Sequence, residues 1–135
     1  MVMPTIVHFE IPSDDMERSK GFYKELFGWN IESWPGSDTG GGAEGMEYLL
    51  ITTTDSNGNK ALSGGMMKRQ NPQQQGMANY IDVSSVDEYS TKIEKLGGKV
   101  VMQKTPVPGM GYFAVCLDTE GNRFGIWETD STAKI

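Results

Sequence analysis

HFEIPSDDMERSKGFYKELFGW, residues 8–29, decides the architecture of this chain. Its first residues belong to TIVHFEIP (5–12), where Val7, Phe9 and Ile11 alternate with His8 and Glu10. That period of two is the pattern of a strand with two unlike faces. The period then lengthens. SDDMERSKGFYKELFG (13–28) reads as a helix: Ser13 or Asp14 can cap it, acids fill its first turn, and Gly28 stops it. Met16, Phe22, Leu26 and Phe27 form its expected core stripe.

Working outward, strands are predicted at WNIESW (29–34), MEYLLITT (46–53) and SGGMMKR (63–69). Two polar, flexible connections separate them, PGSDTGGGAEG (35–45) and DSNGNKA (55–61). After the breaker NPQQQG (71–76), a natural linker, the order starts again. MANYIDVS (77–84) is a strand with Ile81 and Val83 opposite Tyr80 and Asp82, and VDEYSTKIEKLGG (86–98) is a capped helix. KVVMQK (99–104), GYFAVCLD (111–118) and RFGIWET (123–129) follow as strands.

The two halves therefore repeat: HFEI (8–11) aligns with YIDV (80–83), and GGMMK (64–68) with FGIWE (124–128). The first half needs about a dozen extra residues for both alignments to hold, and its glycine-rich loop can contain them. A repeat constrains the fold more than any single element does. The expected class is α+β: two tandem βαβββ modules, about 4–70 and about 77–130 of one domain spanning 1–135, forming curved mixed sheets around a shared cleft.

A chain of 135 residues is long enough for one real core, and a net charge of −6 with scattered lysines and arginines argues against nucleic acid. A neutral or cationic small molecule is the better partner. The single cysteine, Cys116 in YFAVCL, builds neither a disulfide nor a cysteine zinc cluster and is expected as a small buried hydrophobe. No stretch reaches the ~18 apolar residues of a membrane span. MVMPTIVHFEIP has no basic segment leading into an apolar one, so no signal peptide and no membrane are expected, and the setting is read as cytoplasmic.

Three pieces, HFEIPSDDMERSKGFYKELFGW, VDEYSTKIEKLGGKVV and PVPGMGYFAVCLDTEGNRFGIWE, together resemble the vicinal oxygen chelate superfamily of glyoxalases, bleomycin-resistance proteins and extradiol dioxygenases. The resemblance covers essentially the whole chain. It implies paired βαβββ modules with a U-shaped cleft, and it implies no single reaction.

In metal-using relatives, the first and last strands of each module supply four ligands to a divalent ion that keeps open positions for substrate oxygens. Carried across, those slots fall on His8, ten residues before Arg18, on Tyr80 (Asn79 if the register slips by one), and on Gly65 and Gly125. Two glycines and a tyrosine make a poor ligand set, so no family-type metal and no other cofactor is expected. A rearranged site through Glu10 and Asp82 is the remaining route to a divalent metal. Glu128 shares the helix-facing parity of Phe124 and Ile126 and is expected as a solvated strand terminus.

Strand parity nominates His8, Glu10, Met67, Tyr80, Asp82 and Trp127 as lining, with Gly65 and Gly125 adding open space. The register of Tyr48 and of Phe113 or Tyr112 is not pinned by the repeat. A lining of aromatics and methionine with a few polar groups suits a small-molecule ligand. Two functions fit. The first is a metal-independent binder of a small aromatic or cationic molecule. The second is a glyoxalase-like lyase or isomerase acting beside a carbonyl, with His8 or Glu10 as the catalytic proton carrier, alone or paired as His8–Glu10 or His8–Asp82. The loop GGGAEG (40–45) lacks the lysine and flanking elements of a phosphate cradle and is read as a flap or ordinary loop. A complete cleft can form within a monomer, and a homodimer stays open because family members also pair.

Overall fold

The computed structural model describes residues 3–34, 47–69 and 76–134. In chain order the elements are β1 (Ile6–Ser13), α1 (Met16–Phe27), β2 (Asn30–Ser33), β3 (Tyr48–Thr52) and β4 (Gly64–Lys68). Then come β5 (Ala78–Asp82), α2 (Val86–Lys95), β6 (Lys99–Val107), β7 (Gly111–Leu117) and β8 (Arg123–Thr129). The glycine-rich loop 35–45, with its flap reading, and the linker residues 71–75 lie outside the described residues. None of the described helices is long and apolar enough to cross a membrane.

The chain divides into two compact units, His8–Met77 and Ala78–Ile135 with Met1–Val7. In the N-terminal unit β1 runs parallel to β4, which pairs antiparallel with β3, which pairs antiparallel with β2. In the C-terminal unit β5 runs parallel to β8, β8 antiparallel to β7, and β7 antiparallel to β6. Each unit is thus a βαβββ module with a mixed sheet, as the internal repeat predicts. The fold is α+β.

The first helix begins later than its sequence suggests. Ser13 closes β1, buried, with its hydroxyl 2.6 Å from that of Ser19. The cap is Asp15 instead of Ser13 or Asp14: its carboxylate accepts the Arg18 N–H at 3.0 Å. At the other end Gly28 takes φ 71° and donates its N–H to the Lys24 carbonyl, the left-handed stop that only glycine adopts cheaply.

The core of the N-terminal unit joins Met16 of α1 to Ile11, Ile31, Leu49, Ile51 and Met66 of its sheet, with Phe9, Tyr23 and Trp29 packed against it. The expected stripe of Met16, Phe22, Leu26 and Phe27 is wrong in all but Met16, because Phe22, Leu26 and Phe27 are 58 %, 57 % and 57 % exposed. The inward position belongs to Tyr23, whose ring stacks on Trp29 at 5.2 Å and 5°. Neighbouring helical residues point about 100° apart, so Phe22 cannot share the face that Tyr23 occupies.

In the C-terminal unit Val83, Ala114, Cys116 and Ile126 of the sheet pack with Val86 of α2, backed by Ile81, Tyr89, Ile93 and Phe124. Cys116 is fully buried, as expected, and burial pushes its thiol up to about 11. The Ser85 side chain caps α2 by accepting the Glu88 N–H at 3.1 Å.

Glu128 is not the solvated terminus expected of it. It is half-buried, and its Oε1 accepts the Val86 N–H at 2.9 Å, satisfying one of the donors that a helix N-terminus leaves open. The parity reading holds, since the helix-facing side of β8 is what aims Glu128 at α2.

The connection at 55–61, expected to be flexible, is an ordered turn with a twin in the other unit. Asp55 Oδ1 accepts the N–H groups of Asn57 and Asn59 at 2.9 Å each. In DTEGN (118–122), Asp118 Oδ1 accepts those of Glu120 and Asn122 at 2.8 Å each. Gly58 and Gly121 hold φ 83° and 82° at the same place in the two turns.

Candidate functional site

Alternation along β1 sends Phe9 and Ile11 into the core on the α1 side and His8 and Glu10 to the opposite face. Register places more of the N-terminal unit on that face. Glu10 lies beside Gly65 of β4, and Met67 lies opposite Tyr48 of β3. Tyr48 is the residue that organises the group. Its hydroxyl donates to Glu10 Oε2 at 3.0 Å and stands 2.8 Å from His8 Nε2. A phenol has one proton, and here Glu10 receives it. The Tyr48 oxygen therefore accepts from His8, which makes His8 the Nε2–H tautomer. Burial holds the His8 imidazole below its ordinary pKa of 6.5 and so favours this neutral form. The Tyr48 ring lies nearly parallel to that of His8, at 6.4 Å and 14°, and meets Trp34 edge-on at 6.0 Å.

The C-terminal unit has its own face turned away from α2. Tyr80 pairs with Gly125 and Asp82 with Trp127 across β5 and β8, and Trp127 pairs with Phe113 of β7. Tyr80 and Phe113 meet edge to face at 6.2 Å, and the Trp127 indole N–H donates to the Thr129 hydroxyl at 2.9 Å. The register left open in the sequence is settled here in favour of Phe113. Tyr112 packs on the α2 side under the Lys104 ammonium, 4.4 Å from its ring centre.

The structure thus brings His8, Glu10 and Met67 together on one face of the N-terminal unit. It brings Tyr80, Asp82 and Trp127 together on one face of the C-terminal unit. Two expectations need correction. His8 and Glu10 are joined through the Tyr48 hydroxyl. The glycines are not open space either: a Cβ at Gly65 would overlap the Tyr48 ring and hydroxyl, and one at Gly125 would overlap the Tyr80 ring. Each glycine is a recess filled by a tyrosine of its own unit.

The sequence left the register of Tyr48 open, and its partners with it. Leu49 and Ile51 are apolar and buried, which puts Tyr48 on the other side of β3, yet reach across two strands is a tertiary property.

The metal that the family resemblance implies does not fit these residues. The slots on Gly65 and Gly125 have no donor and no room for one. Among the described residues no three His, Cys, Asp or Glu side chains gather as a cation site.

Comparison with known proteins agrees with this architecture. Residues 5–37 match the family described as bleomycin resistance protein-like N-terminal. The anthracycline biosynthesis proteins DauV of Streptomyces sp. (strain C5) and DnrV of Streptomyces peucetius are each 29% identical over 132 residues, covering 88% of this chain and 45% of theirs. The chain therefore spans about half the length of these curated relatives. Among solved structures, methylmalonyl-CoA epimerase of Streptomyces coelicolor superposes with a TM-score of 0.64 at 14% identity, over 99% of this chain and 100% of that one. At that identity the likeness is one of fold.

Proposed function

We propose that the chain is a bleomycin-resistance-like member of the vicinal oxygen chelate superfamily and that it binds a small aromatic or cationic molecule without the family metal. The observation that carries this reading is the hydrogen-bonded His8–Tyr48–Glu10 group set among aromatic rings on a helix-free sheet face. Rings give a planar ligand stacking surface, and Met67 adapts to its outline. Glu10 supplies negative charge for a cationic group. The polar trio fixes orientation, as a few placed hydrogen-bonding groups do in small-molecule sites. Relatives that serve anthracycline biosynthesis accord with an aromatic ligand.

A second reading is favoured by one observation, the same hydrogen-bonded chain. A neutral histidine linked through a phenol to a carboxylate can pass a proton, which suits a lyase or isomerase acting next to a carbonyl. That the fold also serves an epimerase is consistent with it.

The two readings part on measurement. Under the binding reading, tryptophan fluorescence responds to members of an aromatic and cationic library, and Trp127→Ala weakens the effective compound about fivefold or more, or ~1 kcal/mol. Silence across that library would sink it. Under the catalytic reading, His8→Ala abolishes turnover of a carbonyl substrate while leaving the fold intact.

A further inference from the structure

By the family resemblance, Gly65 falls on a slot where metal-using members place a carboxylate, and His8 on one where they place an imidazole. Both positions border one group, the Tyr48 phenol. Its hydroxyl lies 2.8 Å from His8 Nε2 and 3.0 Å from Glu10 Oε2, between an imidazole and a carboxylate, two groups of the kind that hold cations. Its ring and hydroxyl occupy the recess over Gly65, where a third ligand would have to grow.

We propose that Tyr48 takes the place of the cation in the N-terminal unit, bridging His8 and Glu10 with a phenol proton and keeping a divalent ion out.

The chemistry of the bridge is the reverse of metal ligation. A cation needs a lone pair from the imidazole and a lone pair from the carboxylate. The phenol offers Glu10 a proton, which meets the carboxylate's need for positive charge, and it offers His8 a lone pair, so Nε2 must carry hydrogen. A protonated Nε2 cannot ligate. Tyr48 therefore excludes an ion twice, by occupying the space and by setting the wrong tautomer for coordination through Nε2.

The recess and the ring match each other. Tyr48 can lie over position 65 only because no Cβ stands there. The glycine at 65 and the phenol over it are thus one structural feature, and Tyr48 is a positioning residue that holds His8 in one orientation and one protonation state. This deepens the ligand reading of the same face, yet its test involves no ligand, so either can fail without the other.

The chain contains a single histidine, which makes the measurement unambiguous. In untagged, 15N-labelled protein at neutral pH, His8 should show a protonated Nε2 and a bare Nδ1. A bare Nε2 in the wild type would overturn the bridge, and this measurement needs no variant. In titrations with Co2+, the wild-type His8 ring signals should stay sharp. In Tyr48→Ala, checked for native circular dichroism, they should broaden at a Co2+ concentration at least tenfold lower. Adding Glu10→Gln to that variant should reverse the gain. Equal Co2+ sensitivity of His8 in the wild type and in a folded Tyr48→Ala would show that Tyr48 excludes nothing and would end the proposal.

Discussion

Glu128 Oε1 accepts the backbone N–H of Val86 at 2.9 Å, so the last strand of the C-terminal unit completes the first turn of the helix packed on it. A carboxylate there meets an open donor and the positive end of the helix dipole at once. Glu128→Ala should cost about 1 kcal/mol in urea unfolding. Glu128→Gln, which keeps an oxygen and loses the charge, should cost less. Equal losses would mean that the charge carries the whole contribution and a neutral acceptor at this position adds nothing.

Three glycines should answer alanine in opposite directions. Gly65→Ala and Gly125→Ala push a methyl into Tyr48 and Tyr80, and each should cost roughly 1–3 kcal/mol. Gly21 lies inside α1 with nothing near its missing Cβ, so Gly21→Ala should stabilise by up to about 1 kcal/mol. Thermal unfolding of the three variants decides it. Combining Gly125→Ala with Tyr80→Ala should recover part of the glycine variant's loss, as expected of residues in contact.

On α1 the neighbours Phe22 and Tyr23 should behave as differently as they are placed. Phe22→Lys should change stability by about 0.5 kcal/mol or less, since the ring is 58 % exposed. Tyr23→Ala removes a ring stacked on Trp29 and packed against the core, and should cost roughly 2–4 kcal/mol. Chemical denaturation of both variants tests the observed facing of the helix against the stripe its composition suggests.

His8 gives stability a pH dependence with a defined sign. Its folded pKa lies below 6.5 because burial disfavours the imidazolium, whereas the unfolded chain protonates it normally. Between the two values the unfolded state binds more protons, so this contribution is fully present above about 6.5 and is lost as pH falls toward the folded pKa. His8→Gln should remove that component of the stability profile between pH 7 and 5. A wild-type profile that His8→Gln leaves unchanged would contradict the lowered pKa.

Much of this molecule was readable in the chain because period and repeat are local. Val83 and Ile126 declare their side by alternation, and the strands and helices of the described residues follow from where the period changes. Asp15 shows the limit: the sequence offers Ser13 or Asp14 as the cap, and only the extension of β1 through Ser13 moves the helix start to Asp15. Phe22, Leu26 and Phe27 mislead because hydrophobic composition marks what could be buried, while the direction of a helix against its sheet selects what is.

The sequence by itself determined the two βαβββ modules, the face on which His8 and Glu10 stand, and the matching places of Gly65 and Gly125 in the repeat. All of these depend on the order and spacing of residues along the chain. The tertiary structure alone decided what fills those glycine positions, which group joins His8 to Glu10, and what Glu128 binds. Tyr48 lies 40 residues from His8 and 38 from Glu10, and Glu128 lies 42 from Val86. Side chains so distant in sequence meet only once strand register has fixed their neighbours, and register comes from packing the whole sheet.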